Sequence, residues 1–275
     1  MACLATKPVI PFMTRAILLL LTLALLAGCA TTGDDHEDDE RTAASLYRDA
    51  KEALDAGDYE TAISRLESLE ARFPFGRFAQ QAQLDIAYAY YKFEEPESAI
   101  AAADRFIKLY PRHPRVDYAY YIRGVIKFNQ GRSVFDKLPS QDPAKRDPGA
   151  ARQAFAYFSE LVQRFPDSDY AEDAIQRMIY LRNQLARHEL YVAEFYMKRE
   201  AYLAAANRAK YVIETFQRAP ATADALALLV RAYRKLELPR LAADSLRVLE
   251  LNYPDSPQLA RLTRTLPDDS GDDIL

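Results

Sequence analysis

From residue 41 to about residue 252 the chain alternates apolar and polar positions with the period of an α-helix. Leu84, Ala87, Tyr88 and Tyr91 recur at intervals of three and four, which places them on one side of a helical cylinder. No stretch sustains the period of two that a half-buried strand requires. Glycine is scarce, while alanine, leucine, glutamate and arginine, all good helix formers, fill the segments. The pattern predicts an all-α protein with helices at about 41–56, 58–72, 77–92, 96–109, 115–130, 148–164, 168–199, 201–217, 221–236 and 239–252. Residues 170–199 lack Gly and Pro. They read as one long helix, or as two with a bend near His188.

The joints between these segments resemble one another. "ARFPFGRFA", "LYPRHPRVDYA", "QRFPDSDYAEDA", "TFQRAPATADA" and "LNYPDSPQLA" each close one helix and open the next, with aromatic markers at Phe73, Tyr110, Phe165, Phe216 and Tyr253. The spacing of the markers fits a repeat of roughly 34 to 37 residues with two insertions. The first insertion is the Pro- and Gly-containing loop 131–150, and the second lies in residues 170–199. Residues 54–74, "LDAGDYETAISRLESLEARFP", resemble a tetratricopeptide (TPR) repeat. Gly57 suits a helix C-cap, Tyr59 opens the second helix, Ala62 permits close approach, and Pro74 lacks the N–H that a continuing helix needs. The expected architecture is a TPR superhelix of about five pairs spanning 41–254: 41–72, 77–109, 115–164, 168–217 and 221–252. In such a stack the first helix of each pair lines a concave surface.

The ends differ from the middle. Lys7 and Arg15 precede the apolar run "AILLLLTLALLAGC", about as long as a secretory signal core and short for a bilayer span. Met13 offers an alternative start. Leu26, Ala27, Gly28 and Cys29 resemble a bacterial lipobox. That resemblance implies a signal peptide over 1–28 and acylation of Cys29 by S-diacylglycerol and an N-acyl chain. A chance cysteine in an ordinary signal peptide and an uncleaved anchor are the competing readings. Ala30 is not the aspartate that retains such lipoproteins in the inner membrane, so an outer-membrane, periplasm-facing address is expected. Residues 29–40 read as a lipidated, disordered acidic tether, and 255–275 as a flexible acidic tail.

The acidic blocks "DDHEDDE" and "DDSGDDIL" carry −6 and −4, the first 28 residues +2 and the helical middle +4, which gives the overall −4; the middle is thus mildly basic, without any Lys/Arg run. Nucleic acid is therefore not an expected partner. Cys3 and Cys29 are the two cysteines, so the folded part has no disulfide and depends on packing. The histidines His36, His113 and His188 share no metal-binding spacing. Neither GxSxG, a Walker loop nor GxGxxG occurs. No enzyme, metal site or cofactor is expected. Tyrosines in "AYAYYKF" and "DYAYYIRG" fill core positions in part. Those turned outward, Tyr88 or Tyr91, would form an aromatic floor for an extended peptide.

Longer stretches carry a more specific resemblance. "RFPFGRFAQQAQLDIAYAYYK" (72–92), "AIAAADRFIKLYPRHPRVDYAYYIRG" (99–124), "RDPGAARQAFAYFSELVQRFPDSDYAEDA" (146–174) and "LYVAEFYMKREAYLAAANRAKYVIETF" (190–216) resemble the BamD family of TPR lipoproteins. That family belongs to the outer-membrane β-barrel assembly machine. The resemblance implies non-enzymatic scaffolding: docking onto the periplasmic POTRA region of BamA, contact with accessory Bam lipoproteins, and recognition of unfolded barrel precursors. Carried over by residue, it puts Arg208, with Asn207 beside it, on the BamA-facing surface and gives Phe73 a part in function. Phe75 and Gly76 have no counterpart in the other joints and join Phe73, Tyr88 and Tyr91 as peptide-groove candidates. The loop 131–147, the tether and the tail have their own character here. Another TPR lipoprotein, coordinating peptidoglycan synthesis or envelope division, is the alternative reading.

Overall fold

The computed structural model describes residues 34–130 and 145–264, with side chains from Thr42 onward. Among these residues every regular element is a helix: α1 (Asp34–Asp55), α2 (Tyr59–Arg72), α3 (Arg77–Lys92), α4 (Pro96–Leu109), α5 (Val116–Gln130), α6 (Gly149–Arg164), α7 (Ala171–Lys198), α8 (Tyr202–Thr215), α9 (Thr222–Lys235), α10 (Pro239–Asn252) and α11 (Pro257–Arg264). The chain divides into two compact units, one ending at Asp85 and the other beginning at Ile86, within α3.

In the first unit α1 and α2 pack as an antiparallel pair, burying Ala50, Ala53 and Leu54 together with Ala62, Leu66 and Leu69. Asp58 caps α2, its carboxylate accepting from the Thr61 N–H at 3.1 Å. That satisfies one of the donors that a helix start leaves open. The Tyr47 hydroxyl donates to Asp85 at 2.6 Å and ties α1 to α3. In the second unit α4 packs on α5, α5 on α6, α6 on α7, and so on to α10. Phe106, Ile126, Phe158, Leu161, Val212, Leu228 and Leu249 form its fully buried framework.

Two backbone devices repeat. After α1 the chain turns at Gly57 with φ +78°; its N–H donates to the Leu54 carbonyl and the Asp58 N–H to that of Ala53. This is a Schellman-type closure, which requires left-handed backbone at its first residue. The same pair of bonds recurs after α3 at Glu94, after α7 at Glu200 and after α9 at Glu237, all with φ near +60°. After each second helix an aromatic residue, Phe73, Tyr110, Phe165, Phe216 or Tyr253, forms the C-cap and donates to a carbonyl four residues back. The markers read from the sequence are thus helix stops.

Three sequence expectations need correction or sharpening. α1 begins at Asp34, ahead of the helix start expected at residue 41, and takes in the acidic block 34–40; acidic residue types are favourable at a helix N-terminus. Residues 257–264 form α11, not flexible tail. Leu262 there is buried with Ala223, Leu226, Ala227, Val230 and Leu249 in one cluster, so α11 covers the end of the last pair. The long insertion is one unbroken 28-residue helix, α7, with no bend at His188. The signal peptide 1–28, Cys29 and most of the 131–147 loop lie outside the described residues.

Candidate functional site

The groove candidates fall into two groups. Phe73, Phe75 and Gly76 belong to the first unit. Phe73 is half-buried at the α2 C-cap, with the Arg72 guanidinium over its ring. Phe75 is 88 % exposed, the highest value among the described large apolar residues. Gly76 turns the chain into α3 with φ +97°, where other joints use a hydrogen-bonded turn such as His113 N–H to the Tyr110 carbonyl. The left-handed backbone explains the glycine, and the turn leaves Phe75 projecting into solvent.

Tyr88 and Tyr91 belong to the second unit. Three residues apart on α3, they share a face. Tyr88 is 37 % exposed, and Tyr91 is half-buried with its hydroxyl accepting from the Asn129 amide of α5. That bond carries the face onto the next first-of-pair helix. There Tyr121 stacks on Tyr170 at a centroid distance of 4.7 Å, and Tyr118 meets the same ring at 5.5 Å. The Tyr121 hydroxyl donates to Asp173 at 2.7 Å, and Asp173 accepts from Arg177 at 2.5 Å. Arg177 in turn lies over Phe128, whose ring meets Tyr180 edge-on. The result is a half-open ledge of tyrosines, one carboxylate and one guanidinium on α3, α5 and α7.

The ledge is electrostatically set. Burial, aided by the hydrogen bond to Asp173, pushes the Tyr121 phenol up to about 12, so it stays a donor. Burial opposes ionisation of Asp173, but donation from Arg177 and Tyr121 outweighs it and holds the carboxyl below its ordinary value. A fixed carboxylate, hydroxyls and a cation spread over aromatic faces suit an extended peptide that carries aromatic side chains. The sequence pointed to Tyr88 and Tyr91 but missed Tyr121, Tyr170 and Arg177. "DYAYYIRG" and the start of α7 held the signal, since Asp173 and Arg177 are spaced i,i+4 next to a tyrosine.

Arg208 and Asn207 are exposed on α8. Helical spacing groups them with Leu203 and Tyr211, which are 63 % and 43 % exposed, on one outward face. Arg208 is not free of the fold: its guanidinium donates at 2.8 Å to Glu189 of α7, and Arg152 of α6 donates to the other Glu189 oxygen at 2.9 Å. Glu189 is buried between apolar neighbours on α7. Its presence at i+4 from Leu185 and i−4 from Ala193, on the buried stripe, was the available sequence signal. Arg123 and Lys127 repeat the theme on α5. Arg123 bonds Asp104 and Glu160 at 2.7 and 2.8 Å, and Lys127 bonds Glu97 at 2.8 Å, which joins α4, α5 and α6.

His113 accepts from the Arg115 N–H and packs edge-on against Phe106. Burial, with Arg115 nearby, lowers its pKa. Among the described residues no three His, Cys, Asp or Glu side chains converge on a metal-sized site, and no helix is long and apolar enough to cross a membrane.

Similarity to known proteins covers nearly the whole chain. The profile of the YfiO family, described as an outer membrane lipoprotein, matches residues 39–249. The outer membrane protein assembly factor BamD of Neisseria meningitidis serogroup B is 49 % identical over 256 residues, 91 % of this chain and 96 % of that protein. The proteins of the same name from Vibrio cholerae and Pasteurella multocida are 39 % and 37 % identical, over 85 % and 84 % of this chain and 96 % and 88 % of theirs. On these matches the chain belongs to the YfiO family of outer membrane lipoproteins, the family of the BamD assembly factors.

Proposed function

We propose that this protein is a non-catalytic assembly factor for outer-membrane proteins, working by binding on two separate surfaces. The ledge on α3, α5 and α7 holds extended segments of unfolded β-barrel precursors. The outward face of α8, with Leu203, Asn207, Arg208 and Tyr211, docks the periplasmic POTRA region of a BamA-like barrel. Accessory Bam lipoproteins complete the assembly. Cys29 carries the lipid after removal of residues 1–28, and the segment that follows links it to α1, so the protein sits on the periplasmic face of the outer membrane.

The observation that carries the precursor reading is the joined set Tyr91–Asn129, Tyr121–Tyr170 and Tyr121–Asp173–Arg177. It places hydrogen-bonding groups and aromatic faces along consecutive first-of-pair helices. An extended peptide gains apolar contact from the rings and orientation from the polar groups. The test is a photocrosslinking residue at Tyr121 or Tyr91 in the lipidated protein in membranes. Adducts with newly exported barrel precursors are expected at these positions and absent at the exposed control Glu67. Absence of precursor adducts at both tyrosines would reject the ledge. The partner reading is tested by Arg208→Glu, which should abolish copurification of the BamA-like barrel.

A further inference from the structure

Glu189 holds two arginines where one would neutralise it. Arg152 donates to one carboxylate oxygen and Arg208 to the other, from α6 and α8. The carboxylate is 3 % exposed, whereas the Arg152 and Arg208 side chains are 54 % and 46 % exposed. A buried carboxylate without a cation is strongly unfavourable, so Glu189 must keep one. It does not need both. Each guanidinium has five N–H donors in a planar fork, and one suffices for its bond to Glu189.

We propose that Arg152 is a positioning residue for the partner-binding face: by keeping Glu189 neutralised, it releases Arg208 to engage an acidic side chain of the docked protein. The proposal rests on the reading of α8 as the docking face. It assigns to Arg152 a role at a distance. In its absence Arg208 becomes the sole cation for a buried charge and is held inward. The partner chemistry that fits is a carboxylate, since a guanidinium fork matches its two oxygens.

The experiment measures binding of the full-length protein to the purified periplasmic region of its cognate BamA-like barrel, with melting temperatures recorded for each variant. R208Q should weaken binding about tenfold, the size of a lost interfacial charge pair. R152Q should weaken it by roughly three- to tenfold, while R152K, which keeps a cation on Glu189, stays at the wild-type affinity. Removing the buried charge should reverse the effect: R152Q/E189Q and E189Q alone should bind at least as tightly as the wild type. Because E189Q also lifts the cost of the buried charge, the melting temperatures separate the two roles. Positioning weakens binding in an R152Q protein that is still folded at the assay temperature. Loss of R152Q binding only in step with unfolding marks a purely structural Arg152 and overturns the proposal. Wild-type affinity of R152Q beside a weakened R208Q overturns the proposal, as does an R152Q/E189Q or E189Q protein that binds weakly. A silent R208Q instead rejects the docking face itself, and this proposal with it.

Discussion

The ring of Phe158 lies over Gly124, so close that a β-carbon on the glycine would sit 2.5 Å from a ring carbon. The pair lies at the contact between α5 and α6, and both residues are buried. Phe158 is packed and cannot retreat, because cores at native density transmit such displacements. Gly124→Ala should therefore lower stability by about 1–3 kcal/mol, an overpacking cost that exceeds the gain in helix propensity. Urea unfolding would show a lower midpoint at unchanged slope. An unchanged or raised midpoint would mean the helices separate freely at this point.

Glu94, Glu200 and Glu237 occupy the left-handed turn position that Gly57 fills after α1. A residue with a β-carbon is strained there by about 1 kcal/mol. Glu237→Gly should relieve that strain but add unfolded-chain entropy, so a gain of at most about 1 kcal/mol is expected. Gly57→Ala should cost a similar amount. An added β-carbon at Gly57 meets nothing within 4 Å, so the cost is purely conformational. Thermal melting of the two single variants, moving in opposite directions, checks the argument.

These turns also show what the sequence could and could not disclose. The aromatic stops were legible because Phe73, Tyr110, Phe165 and Tyr253 each stand directly before a proline, and Phe216 shortly before Pro220. The first-helix stops were legible only at Gly57, because a glutamate gives no local sign of positive φ. The exposed Phe75 and the Gly76 turn stood out for lack of counterparts. The Glu189 clamp did not, since pairing of Arg152, Glu189 and Arg208 is fixed by tertiary packing across three helices. Helix α11 went unseen because eight residues with apolar anchors at Leu259 and Leu262 carry too short a pattern to rise above the acidic tail.

Leu262 is 5 % exposed and is the buried anchor of α11 on the last core cluster. Gln258 also donates to Asp224 of α9, which fixes the helix start. In a repeat array the terminal unit shields an apolar face that no further repeat covers. Leu262→Ala should cost about 2–4 kcal/mol if α11 folds cooperatively with α9 and α10. Termination after Tyr253 should expose the same cluster and promote aggregation. Hydrogen exchange would report the difference first in α9 and α10. A truncated chain with wild-type melting would show that α11 contributes nothing to the core.

Asp173 sets the acid side of the ledge. Its carboxyl is held below its ordinary value in the folded protein, since donation from Arg177 and Tyr121 outweighs the opposing effect of burial. A lowered folded pKa means that the unfolded chain takes up the proton first as pH falls. The stabilisation is therefore complete above the ordinary carboxylate range and disappears as pH falls through the lowered folded value. Because the side chain is 46 % exposed, solvent screening keeps the contribution small. Asp173→Asn should melt lower than the wild type at pH 7, and the two curves should draw together as pH falls below the ordinary carboxylate range. Tyr121, with its phenol pushed up to about 12, stays protonated throughout this window and adds no slope of its own. A difference between the two proteins that stayed constant from pH 7 down to full protonation of the carboxylates would show that Asp173 acts by packing, not by its charge.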